Sequence, residues 1–579
     1  MSEDEEISPE LAAKNMWLWK WRRRGAIVRG EYGSQTVLRG GRVLNVFTEE
    51  LIEADVALDA GYIVGIGSFP EAREEIDATG RIIAPSFIDP HIHIESSHLW
   101  LPEFAKTVVS HGTGAVITDP HEMANVAGLA GIEAMRDAAH GLPLQIAFTA
   151  PSCVPASAHE SPGATFGVDE IEQMLAWPET VGLGELMDFP AVIRAEQEIG
   201  TKLWASRGRL HDGHAPGLRG TALQSYIGSG IHADHESTAL EEAREKLELG
   251  LFLMLREGSS EKNLLDLLPL VTDATYPRIT FASDDRDCHD LLTKGHVDDI
   301  LRTAIKAGLD PIRAIRMATW NAANHWRLPD TGAVAPGYRA DLVVLRDLET
   351  VDVEMTIYRG SVVARNGEFV GSIETRPIPD YLESTVHIAP LHLSHLALPP
   401  EQATHAIEVI PGQIVTRLID VEPKITNRIA VSDPDSDLLK IVCVERHHAT
   451  GRVGVGLVRG IGLKRGAIAS TIAHDAHNII AVGVSDIDIL AAIATVADNQ
   501  GGLAVVADGR VLATLPLPIA GLMSSEPASV VAEAYAALEH HAREIGSPLQ
   551  SPFGQLAFLA LSVVPEARLT DRGLLDLRG

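Results

Sequence analysis

Cysteine is scarce in this sequence. The 579 residues include only Cys153, Cys288 and Cys443, and none of them has a second cysteine at the spacing of a metal-binding pair. This scarcity argues against a disulfide framework and against a cysteine-ligated zinc site. It is typical of proteins that fold in the reducing cytosol.

Long apolar runs and a leader sequence are also missing. No segment approaches the roughly 18 uninterrupted apolar residues of a membrane-spanning helix. The first residues, MSEDEEISPE, are acidic where a signal peptide needs positive charge, and no apolar region follows them. We therefore expect a cytoplasmic protein with no membrane partner.

Positive charge is in deficit. The chain has 48 Lys and Arg residues against 79 Asp and Glu residues, a formal net charge of −31. An acidic surface of this kind repels phosphate backbones, so we expect no nucleic-acid partner. The average charge does not exclude one local basic pocket.

One short segment departs from this acidic composition. Residues 15–24 read NMWLWKWRRR, with three tryptophans beside a basic cluster. One interpretation is an interfacial membrane anchor. The interpretation we favour is a helix that packs its tryptophans on its own protein or on a partner subunit, because the basic run is short.

The pattern of apolar residues divides the chain into several parts. Two Gly-rich, β-rich segments flank a region in which apolar strands alternate with helices, the pattern of parallel βαβ units. We predict a distorted TIM-like (β/α)8 barrel, a small β-sandwich formed from both flanks, and a C-terminal α/β domain. The predicted boundaries are a helical extension at 1–34, the β-sandwich at 35–84 plus 331–385, the barrel at 85–330 and the C-terminal domain at 386–579.

Eight strand candidates support the barrel, since a closed barrel needs eight parallel strands with helices between them. The fifth and sixth candidates leave little room for a full helix, which predicts a distortion there. The candidates are IIAPSFI (82–88), TGAVIT (113–118), LQIAFTA (144–150), TVGLGEL (180–186), RLHDGHA (209–215), YIGSGIHADH (226–235), LFLMLRE (251–257) and RITFASD (278–284).

The strongest local signal for chemistry is the pair His91 and His93, directly after the first strand. Side chains two residues apart on a strand project to the same side, so both rings can bind one cation. Imidazole nitrogens suit zinc, iron and other first-row metals. An isolated pair of this kind is about equally compatible with two unrelated loop histidines.

Polar residues of the metal-binding type follow most of the other strands. Because barrel enzymes build their sites at the carboxyl ends of the strands, these residues should converge in one crater. Each alone could be structural, but their coincidence at one topological position favours a site. They are Asp119, His121 and Glu122 after the second strand, Glu185 on the fourth, His214 on the fifth, His232 and His235 on the sixth, and Asp284 and Asp285 after the eighth.

The order of these residues resembles the amidohydrolase superfamily. An HxH pair, one acid, two single histidines and an Asp follow one another, and PGYRADLVVL (336–345) resembles the return into the small β domain. Within the superfamily, several segments resemble the adenine deaminases. They are DPHIHIESS (89–97), TDPHEMANV (118–126), GELMDFPAV (184–192), HDGHAPG (211–217) and HDAHNI (474–479).

The resemblance implies a centre of two divalent metal ions, with manganese or iron favoured and zinc accepted. His91, His93 and Asp284 would hold one ion, and His214 and His235 the other. Many binuclear relatives bridge the ions with a carboxylated Lys, but this strand offers Glu185 and no Lys. A carboxylate has two oxygens, so Glu185 can bridge without modification.

The resemblance further implies hydrolytic deamination of adenine, as in purine salvage or catabolism. Asp284 would take the proton of the attacking water. Glu122 would protonate N1 of the purine, with Glu95 and Asp119 as alternatives, and His121 would orient or polarise the adduct. We also assign substrate-binding roles to Glu95, Ser97 and Asp119.

Three features of the sequence are compatible with more than one interpretation. His98 stands where the family commonly has Met, which could alter base selectivity. In the C-terminal region, HDAHN (474–478) and MSSEP (523–527) are either site elements or turns, and we expect a homodimer. The alternatives are an amidohydrolase acting on another nucleobase or on a cyclic amide, and a catalytically silent protein with the same fold.

Overall fold

The computed structural model describes residues 9–411 and 413–578. The acidic residues 1–8, on which the expectation of no leader sequence rests, lie outside this part. Within the described chain, no helix is both long and apolar enough to cross a membrane.

The first described element is helix α1 (Pro9–Val28). It contacts the rest of the chain near its carboxyl end, where Arg23 forms an ion pair with Asp59 at 2.7 Å and Arg24 lies over the ring of Tyr62. Trp17, Trp19 and Trp21 are 63%, 53% and 59% exposed. The prediction that they pack on their own protein is therefore wrong, while packing on a partner subunit stays a prediction.

A nine-stranded sheet joins two segments that are far apart in the sequence. Strand β5 pairs with β1 on one side and with β14 on the other, so the segments before and after the barrel share one sheet and one apolar core. The strands are β1 (Thr36–Asn45), β2 (Glu50–Asp59), β3 (Tyr62–Gly67), β4 (Glu74–Asp77), β5 (Ile82–Pro85), β14 (Leu342–Leu345), β15 (Val353–Tyr358), β16 (Ser361–Arg365) and β17 (Glu368–Phe369).

The predicted barrel is confirmed. Eight parallel strands lie in a five-stranded and a three-stranded sheet, and backbone hydrogen bonds between residues 91–93 and Asp284 join β6 to the end of β13. The strands are β6 (Phe87–Ile92), β7 (Thr113–Thr118), β8 (Gln145–Ala150), β9 (Thr180–Leu186), β10 (Leu210–Gly213), β11 (Ala233–Asp234), β12 (Phe252–Arg256) and β13 (Ile279–Ala282).

At least one helix follows each of these strands. They are α2 (Leu101–Ser110), α3 (His121–Ala139), α4 (Val168–Leu175), α5 (Phe189–Ile193), α6 (Gln197–Ala205), α7 (Gly220–Gly228), α8 (Leu240–Glu248), α9 (Leu264–Leu267), α10 (Cys288–Thr293), α11 (Val297–Lys306), α12 (Pro311–Arg316) and α13 (Ala322–His325).

Two of the predicted strands differ from the structure. The segment 82–88 is divided between β5 of the nine-stranded sheet and β6 of the barrel, because the backbone N–H of Ser86 bonds to Asp341 and that of Phe87 bonds to Gly112. The segment 226–235 begins inside α7 and contributes only the two-residue strand β11. A helix therefore does fit between the fifth and sixth strands, and the sixth strand is short instead.

The C-terminal region contains an eight-stranded sheet in the order β19-β18-β23-β22-β25-β24-β26-β27. Its elements are β18 (His405–Val409), β19 (Thr416–Asp420), β20 (Lys424–Thr426), β21 (Ile429–Val431), β22 (Leu438–Val444), β23 (Val453–Arg459), β24 (Ala467–Ser470), β25 (Ile479–Gly483), α14 (Asp486–Asp498), β26 (Gly502–Ala507), β27 (Arg510–Pro516), α15 (Ala528–Glu544), α16 (Pro552–Phe558), β28 (Ala567–Thr570) and β29 (Gly573–Asp576).

Candidate metal centre

The rings of His91 and His93 each have a hydrogen-bond partner at Nδ1. In His91, Nδ1 lies 2.8 Å from Asp212 Oδ2, and in His93 it lies 2.9 Å from the backbone oxygen of Asp119. A partner on one ring nitrogen fixes the tautomer and the direction of the other nitrogen. Both Nε2 atoms are thereby presented to Asp284.

Glu185 lies between two groups of histidines. Its Oε1 is 3.3 Å from His93 Nε2, while its Oε2 is 2.6 Å from His214 Nδ1 and 3.1 Å from His235 Nε2. Potential ligand atoms of His91, His93 and Glu185 lie within 4.8 Å of one another, and the same holds for Glu185, His214 and His235. The two groups share Glu185.

The position of Glu185 depends on Asp119 and Gly184. The Glu185 backbone N–H donates to Asp119 Oδ2 at 2.8 Å. A Cβ atom on residue 184 would lie only 2.1 Å from the same oxygen, so only glycine allows this approach. The Asp119 carboxylate therefore helps to hold the strand that carries Glu185 in position.

Asp284 follows β13 in a left-handed backbone conformation, with φ of 56°. Its Oδ1 lies 3.4 Å from His91 Nε2 and 3.2 Å from His93 Nε2, and Arg256 Nη1 donates to its Oδ2 at 2.5 Å. One carboxylate oxygen thus faces the histidines, and the other is held by a guanidinium.

The electrostatics of the cluster suit cations. Burial would raise the pKa of Glu185, but His214, His235 and His93 hold it well below its usual range. Burial likewise opposes ionisation of Asp284, and Arg256 with the histidines lowers its pKa. Both side chains are therefore carboxylates, the form in which they bind metals.

Unpartnered nitrogens provide a test of fit for metal ions. Among the described residues, Nε2 of His214 has no hydrogen-bond partner. Nε2 of His91 and of His235 lies 3.4 and 3.1 Å from carboxylate oxygens without hydrogen-bond geometry, although all three residues are at most 6% exposed. Buried polar atoms without partners are costly. Nitrogen and carboxylate donors in this number fit divalent first-row cations, so the buried cluster is a site for divalent metal ions.

Three residues of the site were missed in the sequence. Asp212 orients His91, and Arg256 lies beside both Asp284 and Glu236. Glu236 Oε1 is 3.8 Å from His214 Nδ1. Asp212 stands within the segment 211–217, and Arg256 ends the seventh strand, so strand ends were the available signal.

Glu122 lies beside the cluster at the start of α3 and is 1% exposed. Its Oε1 is 3.3 Å from both Ser96 Oγ and His474 Nδ1. Burial, followed by the charges of Glu95 and Asp285, raises the pKa of Glu122 well above its usual range. A carboxyl group in this setting keeps its proton and can donate it.

His121 lies between Glu185 and the C-terminal region. Its Nδ1 is 3.5 Å from Glu185 Oε1, and its Nε2 is 3.7 Å from Asp475 Oδ1. The ring is 4% exposed and forms part of the cavity wall. It can therefore touch both the metal cluster and a bound substrate.

Two other predicted residues lie outside the cavity wall. Glu95 is fully buried and accepts a hydrogen bond from the backbone N–H of Met123. The Ser97 hydroxyl donates to the backbone oxygen of Ile94 at 2.6 Å. These contacts fix the loop after β6.

His98 lies in a neighbouring cavity of about 60 Å³, with its ring centroid 5.2 Å from that of Tyr535. Burial lowers the pKa of His98 to about 4, so the ring is neutral near pH 7. The two cavities share Asp285, His474 and Phe558 as lining residues. The cavity that contains His98 is therefore adjacent to the cavity at the metal cluster.

The C-terminal region covers the mouth of the barrel. Ile414, His474, Asp475, Phe558 and Leu561 line the cavity at the metal cluster together with barrel residues. The cavity has a volume of about 30 Å³, and Phe558 stacks on His474 at 4.7 Å between ring centroids. A cavity of this size holds one or two water molecules, so a larger substrate must displace part of the cover.

The segment 523–527 contacts the barrel beside the site. The backbone N–H of Trp100 donates to Ser524 O at 2.8 Å, and Ser524 N–H donates to His98 O at 2.9 Å. This pairing attaches the C-terminal region to the loop that follows β6.

Comparison with known proteins gives matches over both halves of the chain. The profile of the amidohydrolase family matches residues 82–363, and the profile of the adenine deaminase C-terminal domain matches residues 413–579. Among solved structures, a β-aspartyl dipeptidase from Fervidobacterium islandicum AW-1 covers 58% of this chain and 99% of its own, with 16% identity and a TM-score of 0.46.

Curated relatives match over nearly the full length. An adenine deaminase of Dehalococcoides mccartyi is 45% identical over 552 residues, which is 95% of this chain and 96% of the relative. Adenine deaminase 2 of Carboxydothermus hydrogenoformans is 44% identical, covering 95% and 97%. An adenine deaminase of Halalkalibacterium halodurans is 42% identical, covering 96% of each chain.

Proposed function

This chain belongs to the adenine deaminase family, and on that premise we propose that it hydrolyses adenine to hypoxanthine and ammonia. The chain is an enzyme of the hydrolase class. The observation that carries the proposal is the pair of buried ligand groups that share Glu185.

We propose that the centre holds two divalent ions, with His91, His93 and Asp284 on one and His214 and His235 on the other. Glu185 would bridge them through its two oxygens. Manganese or iron suits these donors, and zinc is acceptable. When bound, such ions lower the pKa of water from ~16 toward ~7 and so supply hydroxide at neutral pH.

Asp284 and Glu122 would move the protons. Asp284 Oδ1 takes a proton from the attacking water as the C6–O bond forms. Glu122 donates its proton to N1, which receives the electron pair displaced from C6. Asp284 then delivers its proton to the amino group, and the C6–N bond breaks to release ammonia. The C6 hydroxyl then loses its proton to solvent, which gives the carbonyl of hypoxanthine, and one proton returns from solvent to Glu122.

The remaining residues would position the reactants. His121 lies against Glu185 and can polarise the adduct at C6. Asp119 acts through Glu185, and Glu95 and Ser97 hold the loop after β6. We propose that adenine enters by displacing Phe558 from His474, which joins the two small cavities.

We propose the organisation 1–34, 35–84 with 331–385, 85–330 and 386–579 for the whole protein. A cytoplasmic homodimer fits it best, with the exposed tryptophans of α1 against the partner subunit. The net charge of −31 disfavours nucleic acid and membrane surfaces as partners.

The test is ammonia release from adenine by metal-free enzyme titrated with manganese, iron or zinc. Adenosine, guanine and cytosine are run alongside. Activity on adenine that reaches a plateau at two metal equivalents supports both the reaction and the Glu185 bridge. A plateau at one equivalent supports the reaction but contradicts the bridge by Glu185. If no metal gives ammonia from adenine, the proposed reaction is wrong and a cyclic amide becomes the favoured substrate class.

A further inference from the structure

A large cavity lies at the opposite end of the barrel from the metal centre. Its wall includes the first residues of β8, β9 and β10 together with residues 326–329 and the turn at 358–359. Its volume of about 770 Å³ is within the range of small-molecule sites, ~300–1,000 Å³. It shares no lining residue with the cavity at the metal cluster.

The lining of this cavity is basic in an acidic protein. Its charged side chains include one carboxylate, Glu179, and five guanidinium groups. The chain as a whole has a net charge of −31, so this concentration of positive charge is local. The guanidinium groups belong to Arg136, Arg209, Arg327, Arg339 and Arg359.

Among the described residues, carboxylates neutralise two of the five guanidinium groups. Arg136 pairs with Glu179 at 3.0 Å, and Arg339 pairs with Asp341 at 2.6 Å. Arg209 donates to the backbone oxygens of Leu175 and Thr180 and has no carboxylate partner in the described chain. In the part of the chain that the structure describes, the side chains of Arg327 and Arg359 have no hydrogen-bond or ion-pair partner, which leaves three positive charges uncompensated.

A second observation comes from the buried wall. Arg339 is 9% exposed, and its Nη2 has no hydrogen-bond partner among the described residues. Its guanidinium is fixed by Asp341 through Nε and by Tyr358, whose ring centroid lies 5.5 Å away. Arg339 therefore adds an oriented positive charge to the wall of the cavity.

From these observations we propose that the cavity binds a phosphorylated small molecule with at least two negative charges. Arg327 and Arg359 would neutralise the phosphoryl groups, and Arg339 would add positive charge in the wall. Phosphoryl oxygens match the fork of a guanidinium, and multiple charges match the three uncompensated arginines. This proposal can fail or succeed separately from the proposed deamination, because ligand binding to this cavity is measured without turnover of adenine.

Isothermal titration calorimetry on the metal-loaded full-length enzyme at low salt tests the proposal. Fructose 1,6-bisphosphate probes phosphoryl charge alone, ADP adds a purine nucleoside, and succinate is a dicarboxylate control. We expect the bisphosphate to bind at least ~10-fold more tightly than succinate. Tighter binding of ADP than of the bisphosphate assigns the site to nucleotides, and the reverse assigns it to sugar phosphates.

Two variants locate the binding. The double substitution Arg327→Gln with Arg359→Gln should weaken binding by at least ~10-fold. Both side chains are exposed and outside the metal centre, so adenine turnover without ligand should stay unchanged. Arg510→Gln, at an exposed arginine that does not line the cavity, should bind as the wild type does.

Three results would overturn the proposal. One is equal affinity of the wild type and of the double variant for each phosphorylated probe. Another is succinate binding as tight as bisphosphate binding. The third is no heat of binding for either phosphorylated probe while the double variant changes the oligomeric state, which would make the arginines a contact between subunits.

Discussion

The two ends of the barrel differ in the side chains that line them, in the volume of their cavities and in whether the C-terminal region covers them. At the carboxyl ends of the strands, histidines and carboxylates crowd a cavity of about 30 Å³ beneath the C-terminal region. At the amino ends, arginines line a cavity of about 770 Å³. Of these two cavities, the one at the reactive end is the smaller because ligand side chains converge there.

One side chain connects the two ends. Trp326 lines the arginine-rich cavity, and its Nε1 donates to the backbone oxygen of Pro90 at 2.8 Å. Pro90 directly precedes His91 in β6. The indole therefore supports the backbone that presents the first metal ligand.

The largest expected effect is loss of the proton acceptor at the carboxyl end. Asp284→Asn keeps the shape but removes the charge that faces His91 and His93, so kcat for adenine should fall by on the order of 10³. The exposed Asp266→Asn is the matched control. Ammonia release is the measurement, and a loss below tenfold would contradict the role of Asp284.

The proton donor should have the next largest effect. Glu122→Gln cannot donate to N1, so kcat should fall by on the order of 10². The wild-type rate should decline as pH rises through the raised pKa of Glu122, because the protonated form is the active one. That decline should be absent from the variant, while Glu133→Gln on the same helix should keep it. If the rate of Glu122→Gln still declines with rising pH as the wild-type rate does, a group other than Glu122 donates the proton.

A pair of glutamates compares the two ends directly. Glu185→Gln loses the bridging charge, so the bound metal should fall from two equivalents to about one per chain. Glu179→Gln removes a carboxylate from the arginine-rich cavity and should leave both ions in place. Elemental analysis after gel filtration measures the difference. Equal metal content in the two variants would exclude Glu185 as a bridge.

The smallest effect is expected for the connection through Trp326. Trp326→Phe keeps an aromatic ring but leaves the Pro90 oxygen without its donor, a cost of about 1–3 kcal/mol. We expect a lower melting temperature and a several-fold loss of kcat. Trp204→Phe, at a residue that is 67% exposed, should change neither quantity. Wild-type melting of Trp326→Phe would show that the bond is dispensable.

The predictions from sequence succeeded where the signal is local. His91 and His93 follow an apolar run and share one side of a strand, which is a local signal, and the structure places both Nε2 atoms near Asp284. That Asp284 joins them as a metal ligand came from the resemblance and stays a prediction. The segment 226–235 failed because a short apolar run with glycines suits a strand or a helix end equally well. The pattern could not decide between the two surfaces proposed for the tryptophans of α1, because their burial depends on contacts that the pattern does not specify; in this chain they are exposed.

The sequence by itself determined the barrel and the presence of histidines and carboxylates at its strand ends, since these follow from residue periodicity and from the order of polar residues. The ligand set and the reaction came from the resemblance to a known family. Only the tertiary structure decided which partner each ring nitrogen has, how Asp119 and Gly184 place Glu185, and that residues near 474 and 558 cover the site. It also gathered arginines from residues 136, 209, 327, 339 and 359 into one cavity. Contacts between residues far apart in the chain depend on how the elements pack, and no local pattern encodes that packing.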